Sequence, residues 1–431
     1  MPTLPTSPGS GRVLVAESDG PLVASPTWTR YDTLSGVGCS GYDIHRGRQS
    51  EFDITETGTA TVFFNDTNQT LNDNSLVGLQ CMLQIRNPVT STWVPAYRGF
   101  IDDITYDVDP SGVKSNVQFQ LVDMFDFLGS VTMVVGTFGN TPPAGREGNV
   151  FYEDGRVDDR ITALLTDAGL PSGLQVVFTG NVDVQETLYD ATDTILQAVR
   201  DAADAEFPGV ANVYVDRIGN VQFHGREARF DPATTAASAS GWDYNTWKAG
   251  DGLAISGDSS YAMVKEFAFN RPRSRIVNTA LAYPRGIRED HISNLIWEDT
   301  SSISTYGRRG WTAPDLLTLR NFNNGNTGVD EAILYAKHYY LNYSVPRKNI
   351  QRLKVTSLHP GDSYAASNWA FVTGIDISDL VTVNMGDATI NEDFFVEGVD
   401  ISARPATDTY DYVEIVPNLT PKAFYTTDPF S

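Results

Sequence analysis

Residues 116–122 alternate apolar and polar side chains, with valine, phenylalanine and leucine separated by glutamines. A period of two is typical of a β-strand that buries one face. The turn residues Asp109-Pro-Ser-Gly112 predict a hairpin in front of this strand. We therefore predict a first β-barrel over residues 27–130, preceded by an N-terminal segment at residues 1–26. Further strand-like runs lie at residues 60–65, 81–86 and 100–106.

The pattern changes to a helical period after a loop rich in glycine and proline at residues 131–156. Apolar residues then recur over 157–168 with the spacing of an amphipathic helix, and a second helix follows around 195–202. Two short apolar runs on either side of Gly219-Asn220 predict a β-hairpin. Residues 157–230 are thus predicted to form a small α+β domain.

The rest of the chain divides into three predicted parts. Residues 231–260 are low in sequence complexity and predict an exposed loop. Residues 261–349 combine strand-like runs with a helix that has Ile333, Ala336 and Tyr340 on one face, which predicts a mixed α/β domain or extension. Residues 350–425 are again strand-like and predict a second barrel.

The two β-rich ends share an order of segments. A strand, a second strand with a glycine-aliphatic-aspartate segment, a turn and a third strand occur over 79–119 and again over 380–415, with Gly99 matched to Gly398. Short β patterns are degenerate, so chance also produces such a repeated order of segments. A duplicated barrel nevertheless has a use, because three two-barrel chains would form a ring of six similar units that joins a six-fold tube to a three-fold partner. The predicted fold class is mainly β with α+β insertions.

The charge of the chain argues against nucleic-acid binding. The formal net charge is −23, only 7 of the 31 basic residues are lysines, and no basic cluster of the size that grips phosphates occurs. Such a chain would repel DNA, as suits a conduit through which DNA slides. The first residues lack a secretory signal and no run of about 18 apolar residues occurs, so synthesis and folding in a cytoplasm are expected.

The densest charge cluster near a predicted strand consists of Arg46, Arg48, Glu51 and Asp53. These side chains could form salt bridges between the subunits of a ring. They could equally belong to a solvated loop, or form an intramolecular pair worth about 0–1 kcal/mol. The pattern leaves both interpretations open.

Other motifs predict no catalytic, cofactor-binding or metal-binding residue. The segment from Asp107 to Gly112 has part of a calcium loop, but Gln118 stands where the last acidic ligand belongs, so a hairpin turn is favoured. The Gly-Asp-Ser triplets ending at Ser259 and Ser363 lack a nucleophile elbow. The five histidines and two cysteines have no metal-binding spacing, and no carboxylate pair stands out. We therefore expect a protein that is not an enzyme.

Several longer segments of the chain form a set that occurs in a fixed order. They are Trp28-Thr-Arg-Tyr-Asp32, His45-Arg-Gly-Arg-Gln-Ser-Glu-Phe-Asp53, Thr57-Gly-Thr-Ala-Thr-Val62, Arg98-Gly-Phe-Ile-Asp102, Asp123-Met-Phe-Asp-Phe-Leu128, residues 160–169, 203–206, 215–224, 302–307 and 377–383, and Phe395-Val-Glu-Gly398. These segments and their order resemble the minor tail proteins of actinobacterial tailed phages. The loop after Asn65 departs from that family, because it is longer and lacks arginines, and this leaves the loop conformation open but not the domain.

That family is similar to the trimeric baseplate-hub, or tail-associated, proteins, whose fold has two tube-type β-barrel domains flanking small α+β domains. The resemblance implies a structural, homotrimeric virion protein at the tail tip of a siphophage, assembled in the host cytoplasm. Such a hub closes the tail tube, adapts its six-fold symmetry to a three-fold tip and lines the channel for genome ejection during host entry.

The resemblance also implies the partners. They are further copies of this chain, the distal tail protein ring, the tape measure protein and other minor tail or fibre proteins, while DNA passes without specific binding. Two alternatives stay open. One is a distal-tail or peripheral baseplate protein that anchors fibres, and the other is a virion-associated cell-wall hydrolase.

Overall fold

One continuous sheet of thirteen strands forms the frame of the protein. The computed structural model describes residues 11–71, 74–108, 115–230, 245–252, 254–255, 257–286, 295–318, 328–386, 388–406 and 410–425. The chain is mainly β with α+β insertions, as predicted. The predicted turn at residues 109–112, the last part of the calcium-like loop and residues 231–244 of the predicted exposed loop lie outside the described residues.

The first barrel has the strand order β1-β5-β6-β7-β4-β3, and β2 pairs with β1 outside it. The alternating side chains Val117, Phe119 and Leu121 point into its core and are buried, which confirms the strand predicted at residues 116–122. Strand β1 comes from the segment predicted to precede the barrel. The elements are β1 (Gly11–Val15), β2 (Thr29–Arg30), β3 (Val37–Gly47), β4 (Glu56–Asp66), β5 (Gln80–Asn87), β6 (Thr92–Val108), β7 (Ser115–Val122) and helix α1 (Met124–Ser130).

The middle unit has a core of its own, to which both predicted helices contribute. Thr194 caps the second of these helices, because its hydroxyl accepts from the Gln197 backbone N–H at 3.3 Å. The predicted hairpin around Gly219 is also confirmed. The elements are β8 (Val150–Tyr152), β9 (Gly155–Arg156), α2 (Val157–Asp167), β10 (Gln175–Val177), β11 (Asp183–Val184), β12 (Thr187–Tyr189), α3 (Ile195–Glu206), β13 (Asn212–Val215), β14 (Val221–His224) and α4 (Glu227–Phe230).

The second barrel is closed, with six strands, and it is interrupted in the sequence by a small unit with a three-stranded sheet. Its first strand, β15, lies inside the segment predicted as an exposed loop. The elements are β15 (Thr246–Gly250), β16 (Ala262–Asn270), the inserted β17 (Thr279–Pro284), β18 (Ile296–Glu298), α5 (Thr300–Tyr306), β19 (Gly310–Leu316) and α6 (Gly328–Tyr343), and then β20 (Asn349–Thr356), α7 (Ala365–Gly374), β21 (Leu380–Met385), β22 (Ile390–Pro405) and β23 (Asp411–Pro421).

Short 3₁₀ turns link several of these elements. Among the helices of the described residues, none is both long and apolar enough to cross a membrane. The 3₁₀ turns are Asn74–Leu76, Ser172–Leu174, Arg273–Arg275 and Lys422–Tyr425.

Candidate functional site at the junction of the two barrels

The two barrels have the same strand order. The first runs β1-β5-β6-β7-β4-β3, and the second runs β15-β21-β22-β23-β20-β16, with β16 pairing back onto β15. The barrels differ in direction at one strand, because β1 is antiparallel to β5 whereas β15 is parallel to β21. A helical segment follows the last strand of each barrel, α1 after β7 and Lys422–Tyr425 after β23. The duplicated order predicted from the sequence is therefore present.

Backbone details recur at equivalent positions. The Ile101 carbonyl accepts from the Gly78 N–H at 2.7 Å, and the Val396 carbonyl accepts from the Ser378 N–H at 2.8 Å. Both donors have left-handed backbones, with φ of +85° at Gly78 and +69° at Ser378. Serine seldom adopts this conformation, so its presence where the other barrel has glycine supports the structural equivalence.

Matching β-bulges fix the alignment of the two barrels. One bulge follows Ile101 on β6 and another follows Val396 on β22, so that Asp103 stands where Gly398 stands. The internal repeat predicted from the sequence matched Gly99 to Gly398, and this match is therefore wrong in register by four residues. A second pair of bulges lies between Cys39 and Gly41 on β3 and between Val264 and Glu266 on β16.

The barrels are joined edge to edge by an antiparallel ladder between β3 and β22, which we call the seam. Its register runs from Gly47 opposite Gly398 to Tyr42 opposite Ala403. On the polar face of the seam, His45 Nδ1 lies 2.5 Å from an Asp400 carboxylate oxygen. The sheet therefore passes from one barrel into the other without a break, in the order β6-β7-β4-β3-β22-β23-β20-β16.

The predicted charge cluster lies at one end of the seam. Arg46 donates to Asp376 at 2.7 Å, and Arg48 donates to Glu397 at 2.9 Å. Glu51 accepts from the Thr420 hydroxyl at 2.7 Å. These three side chains are buried and connect the first barrel to the second within one chain. The sequence left open whether these side chains form salt bridges between subunits, or belong to a solvated loop or an intramolecular pair. The contacts described here are intramolecular.

Asp53, the fourth member of the cluster, is exposed and accepts from the Ser50 hydroxyl at 2.7 Å. A contact from Arg46, Arg48, Glu51 or Asp53 to another subunit stays a prediction. Asp53 is the member that the chain itself leaves at the surface.

Glu397 is the centre of this cluster. Its side chain is fully buried, and Arg229 donates to it at 2.9 Å in addition to Arg48. Burial alone raises the pKa of a carboxyl group, but the two guanidinium groups outweigh burial and lower the pKa of Glu397. The carboxylate is therefore held ionised between two positive charges, with one barrel and the middle unit supplying one each.

A groove of about 370 Å³ runs along the polar face of the seam. Both acidic and basic side chains line it, and several are paired, with Lys354 3.0 Å from Glu414. Within the described ranges, no three side chains of His, Cys, Asp or Glu come together as potential metal ligands. The charged lining consists of Asp43, His45, Arg352, Lys354, Asp400 and Glu414.

We expect the His45–Asp400 pair to make the seam sensitive to pH. The hydrogen bond that protonated His45 donates to the Asp400 carboxylate raises the pKa of His45 above its usual 6.5, although partial burial opposes this shift. Because the folded-state pKa is the higher one, the pair stabilises the fold fully below about pH 6.5 and loses this effect as pH rises through the raised value.

The His45→Gln variant tests this expectation. It should lose up to about 1 kcal/mol of unfolding free energy under acidic conditions and almost none in alkaline buffer, as measured by urea unfolding. An equal loss in both buffers would mean that His45 contributes by packing rather than by its charge.

Solved structures of two tail proteins share the fold of this chain. The tail protein from Neisseria meningitidis MC58 matches 95% of this chain and 96% of its own length at 14% identity, with a TM-score of 0.55. The 43 kDa tail protein of prophage MuSo2 from Shewanella oneidensis matches 97% and 98% at 10% identity, also with a TM-score of 0.55. At these identities the likeness concerns the fold, which the chain shares with both tail proteins. No protein-family model and no curated protein sequence matches it.

Within this tail-protein fold, several residues of the junction could not be predicted from their neighbours in the sequence. Arg229 and Asp376 lie far along the chain from Arg46 and Arg48, and nothing in their local pattern marks them as partners in the buried cluster. One signal was available, because Glu397 interrupts the apolar run Phe395-Val-Glu-Gly-Val399. A carboxylate inside such a run requires a buried partner of opposite charge.

Proposed function

We propose that this chain is a structural subunit of a phage tail tip, where it forms the hub that closes the tail tube. The observation that carries the proposal is the duplication of one barrel within one chain, with the two copies joined edge to edge. The likeness of the whole chain to phage tail proteins supports a place in the virion. The motif resemblance narrows this to minor tail proteins of actinobacterial siphophages.

The duplication favours a homotrimer. Two equivalent barrels in each chain let three chains present six similar units to a six-fold tube, while the inserted units differ and repeat three times. The hub would thereby adapt the six-fold tube to a three-fold tip. A distal tail ring, the tape measure protein and fibre proteins are the partners that such a position requires.

Mass photometry of the purified chain, together with cryo-electron microscopy of phage tails, tests this assignment. We expect particles of three times 47.2 kDa and density on the tail axis below the tube. Six copies around the axis would select the distal-tail alternative. A stable monomer that is absent from the axial density would remove the hub assignment.

We further propose that the polar face of the seam belongs to the wall of the DNA channel. Replacing Asp43, Asp400 and Glu414 together by lysine would make this face strongly basic, because the groove already contains Arg352 and Lys354. We expect slower DNA release with normal tail assembly, since lysines bind phosphates. Release can be followed with a dye that fluoresces on ejected DNA.

The matched control for this variant removes the same charges without reversing them, as Asp43→Asn, Asp400→Asn and Glu414→Gln. This control should eject DNA much faster than the lysine variant. If both variants and the unmodified phage release DNA at the same rate, the seam does not face the DNA.

The role is inferred to be structural rather than enzymatic. The similar solved structures are named as tail proteins, and Ser259 and Ser363 of the two Gly-Asp-Ser triplets lie in turns. We expect no clearing when the purified chain is assayed by zymography on host peptidoglycan. A clear zone that the unfolded chain does not produce would support the hydrolase alternative instead.

A further inference from the structure

Three arginines are grouped around one tryptophan on the first barrel. The Arg12 guanidinium lies 4.1 Å from the centroid of the Trp93 ring, and the Arg30 guanidinium lies 5.9 Å from it. Arg86 stands directly opposite Trp93 in the ladder between β5 and β6. All four residues are half-buried. We call Arg12, Arg30, Arg86 and Trp93 the arginine surface.

The arginine surface carries an excess of positive charge. Arg30 is paired with the buried Asp32. Within the described ranges, neither Arg12 nor Arg86 has a carboxylate at salt-bridge distance, and Arg12 donates to the Gln84 side-chain oxygen at 3.4 Å. Burial and the neighbouring charge of Arg30 both lower the pKa of Arg12. Three guanidinium groups therefore share a single carboxylate.

Two of these guanidinium groups are incompletely hydrogen-bonded. The Nε atoms of Arg12 and Arg86 are buried and have no partner in the part of the chain that the structure describes. Arg98, on the same strand as Trp93, shows the contrasting arrangement, since it donates to the backbone carbonyls of residues 23 and 24. Buried donors are normally paired, so Arg12 and Arg86 have bonding capacity that the chain itself does not use.

The arginine surface faces away from the groove of the seam. Val13 and Ile85 point into the barrel core, so their neighbours Arg12 and Arg86 point outward. In the barrel order β1-β5-β6-β7-β4-β3, strand β5 is three places from β4, which lines the groove. Three places in a barrel of six strands correspond to opposite walls. The channel face and the arginine surface are therefore on different sides of the first barrel.

The second barrel does not repeat this surface. Counting along β5 and β21 from their matching left-handed residues, Arg86 corresponds to Gly386. Gly250 has the position in the β15 ladder that Arg12 has in the β1 ladder. Asp251 follows it and accepts from the Gly386 backbone N–H at 3.0 Å, so this corner of the second barrel carries a negative charge. The arginine surface thus distinguishes two barrels that otherwise share a strand order.

The chemistry of the surface suits carboxylates. A guanidinium fork donates two parallel hydrogen bonds to one carboxylate, and tryptophan and arginine are the residues that most often dominate protein interfaces. Val89, in the turn between β5 and β6, is 43% exposed and adds an apolar contact beyond Arg86 and Trp93. DNA is the less suitable anion, because three arginines are few for a phosphate chain and the net charge of −23 repels it.

We propose that the arginine surface binds an acidic peptide segment of another tail protein, whose carboxylates pair with Arg12 and Arg86 beside Trp93. The binding concerns one barrel of each chain. The number of sites in the tail rests on the proposed function, since a trimeric hub would present three such sites where its barrels number six. The partner would therefore attach with three-fold rather than six-fold symmetry.

Fluorescence anisotropy with a labelled peptide of about ten glutamates tests the charge requirement. We expect the Arg12→Gln/Arg86→Gln chain to bind this peptide at least about tenfold more weakly than the unmodified chain, because two charged hydrogen-bonding groups are lost. The matched control, Arg146→Gln/Arg271→Gln, removes two exposed arginines elsewhere. Its affinity should stay within about twofold, since exposed charges contribute little.

Two outcomes of this titration overturn the proposal. Equal affinities of the two variants would mean that the peptide responds to net charge alone. Binding of a thymidine oligonucleotide of matched charge, as tight as that of the peptide, would make the surface a phosphate site instead. The substituted side chains point outward, so the barrel core over β1 and β5 stays unchanged in both variants.

Cross-linking in assembled phage tails identifies the partner. In the Arg12→Lys/Arg86→Lys phage, a carbodiimide should join a lysine amine at position 12 or 86 to an aspartate or glutamate of another tail protein, as located by mass spectrometry. The Arg146→Lys phage is the control and should give no such link. Links only to further copies of this chain, or no more links than in the control, would overturn the assignment.

Mass photometry of the same samples separates this surface from the hub assignment. A trimer whose peptide affinity is unchanged in Arg12→Gln/Arg86→Gln overturns the arginine surface and leaves the hub standing. A monomer that binds the peptide, and loses it in this variant, overturns the hub and supports the surface. If the variant alone fails to form trimers, the surface contacts a second copy of the chain, and the proposed partner is wrong.

Discussion

Replacing Glu397 by glutamine is expected to lower the free energy of unfolding by about 3–5 kcal/mol. The carboxylate is fully buried and lies 2.8 Å from Arg48 and 2.9 Å from Arg229. Glutamine has nearly the same volume but no charge, so two buried guanidinium groups would lose their counterion. Breaking a buried pair in this way costs far more than the pair contributes relative to an apolar substitute.

The matched control lies on the same strand. Glu392 is 43% exposed in its side chain and lies 3.8 Å from Lys348. The Glu392→Gln variant should change the unfolding free energy by no more than about 1 kcal/mol, since exposed pairs contribute little. Urea unfolding of both variants measures the difference, and similar effects would show that the buried cluster does not hold the barrels together.

Replacing Gly47 by alanine is expected to destabilise the seam itself. Gly47 has φ of +87°, and a Cβ there would lie 2.4 Å from the Glu397 carbonyl oxygen and 2.6 Å from the Gly398 Cα. Both neighbours are backbone atoms, so relief requires β3 and β22 to move apart. We expect a loss of at least about 3 kcal/mol in unfolding free energy, from the strained φ and the overpacking together.

Gly78 provides the control for this variant. It has nearly the same φ, +85°, but a Cβ there would meet nothing within 4 Å. The Gly78→Ala variant should therefore lose only the part of the unfolding free energy that comes from the strained φ, about 1–2 kcal/mol. If the two alanine variants are equally stable, the close approach of β3 to β22 does not determine the stability of the junction.

These two experiments bear on the proposed hub, because a pseudo-six-fold ring requires the two barrels of a chain to keep a fixed relation. Glu397 fixes this relation through charge, and Gly47 fixes it through backbone approach. If either variant folds but assembles poorly, assembly of the ring depends on the geometry of the junction.

Local periodicity was enough to find many of the elements. The alternation around Phe119 and the helical spacing around Ile161 each report which face of an element is buried, and burial followed that pattern. Such a pattern depends on the element alone, because side chains alternate along any strand and recur every three to four positions along any helix. The succession of strands along the chain at its two ends was predictable for the same reason.

The partners of the strand edges were decided by the tertiary structure. Side-chain periodicity says nothing about which edge a backbone ladder joins, so β15 inside a predicted loop and the four-residue shift between the barrels could not be predicted. The burial of Arg46 and Arg48 was hidden likewise, because charged residues near a strand usually lie at the surface. The sequence alone determined that there are two similar sets of strands and an acidic surface. Only the fold decided that β3 pairs with β22, since long-range pairing depends on the whole shape of both barrels.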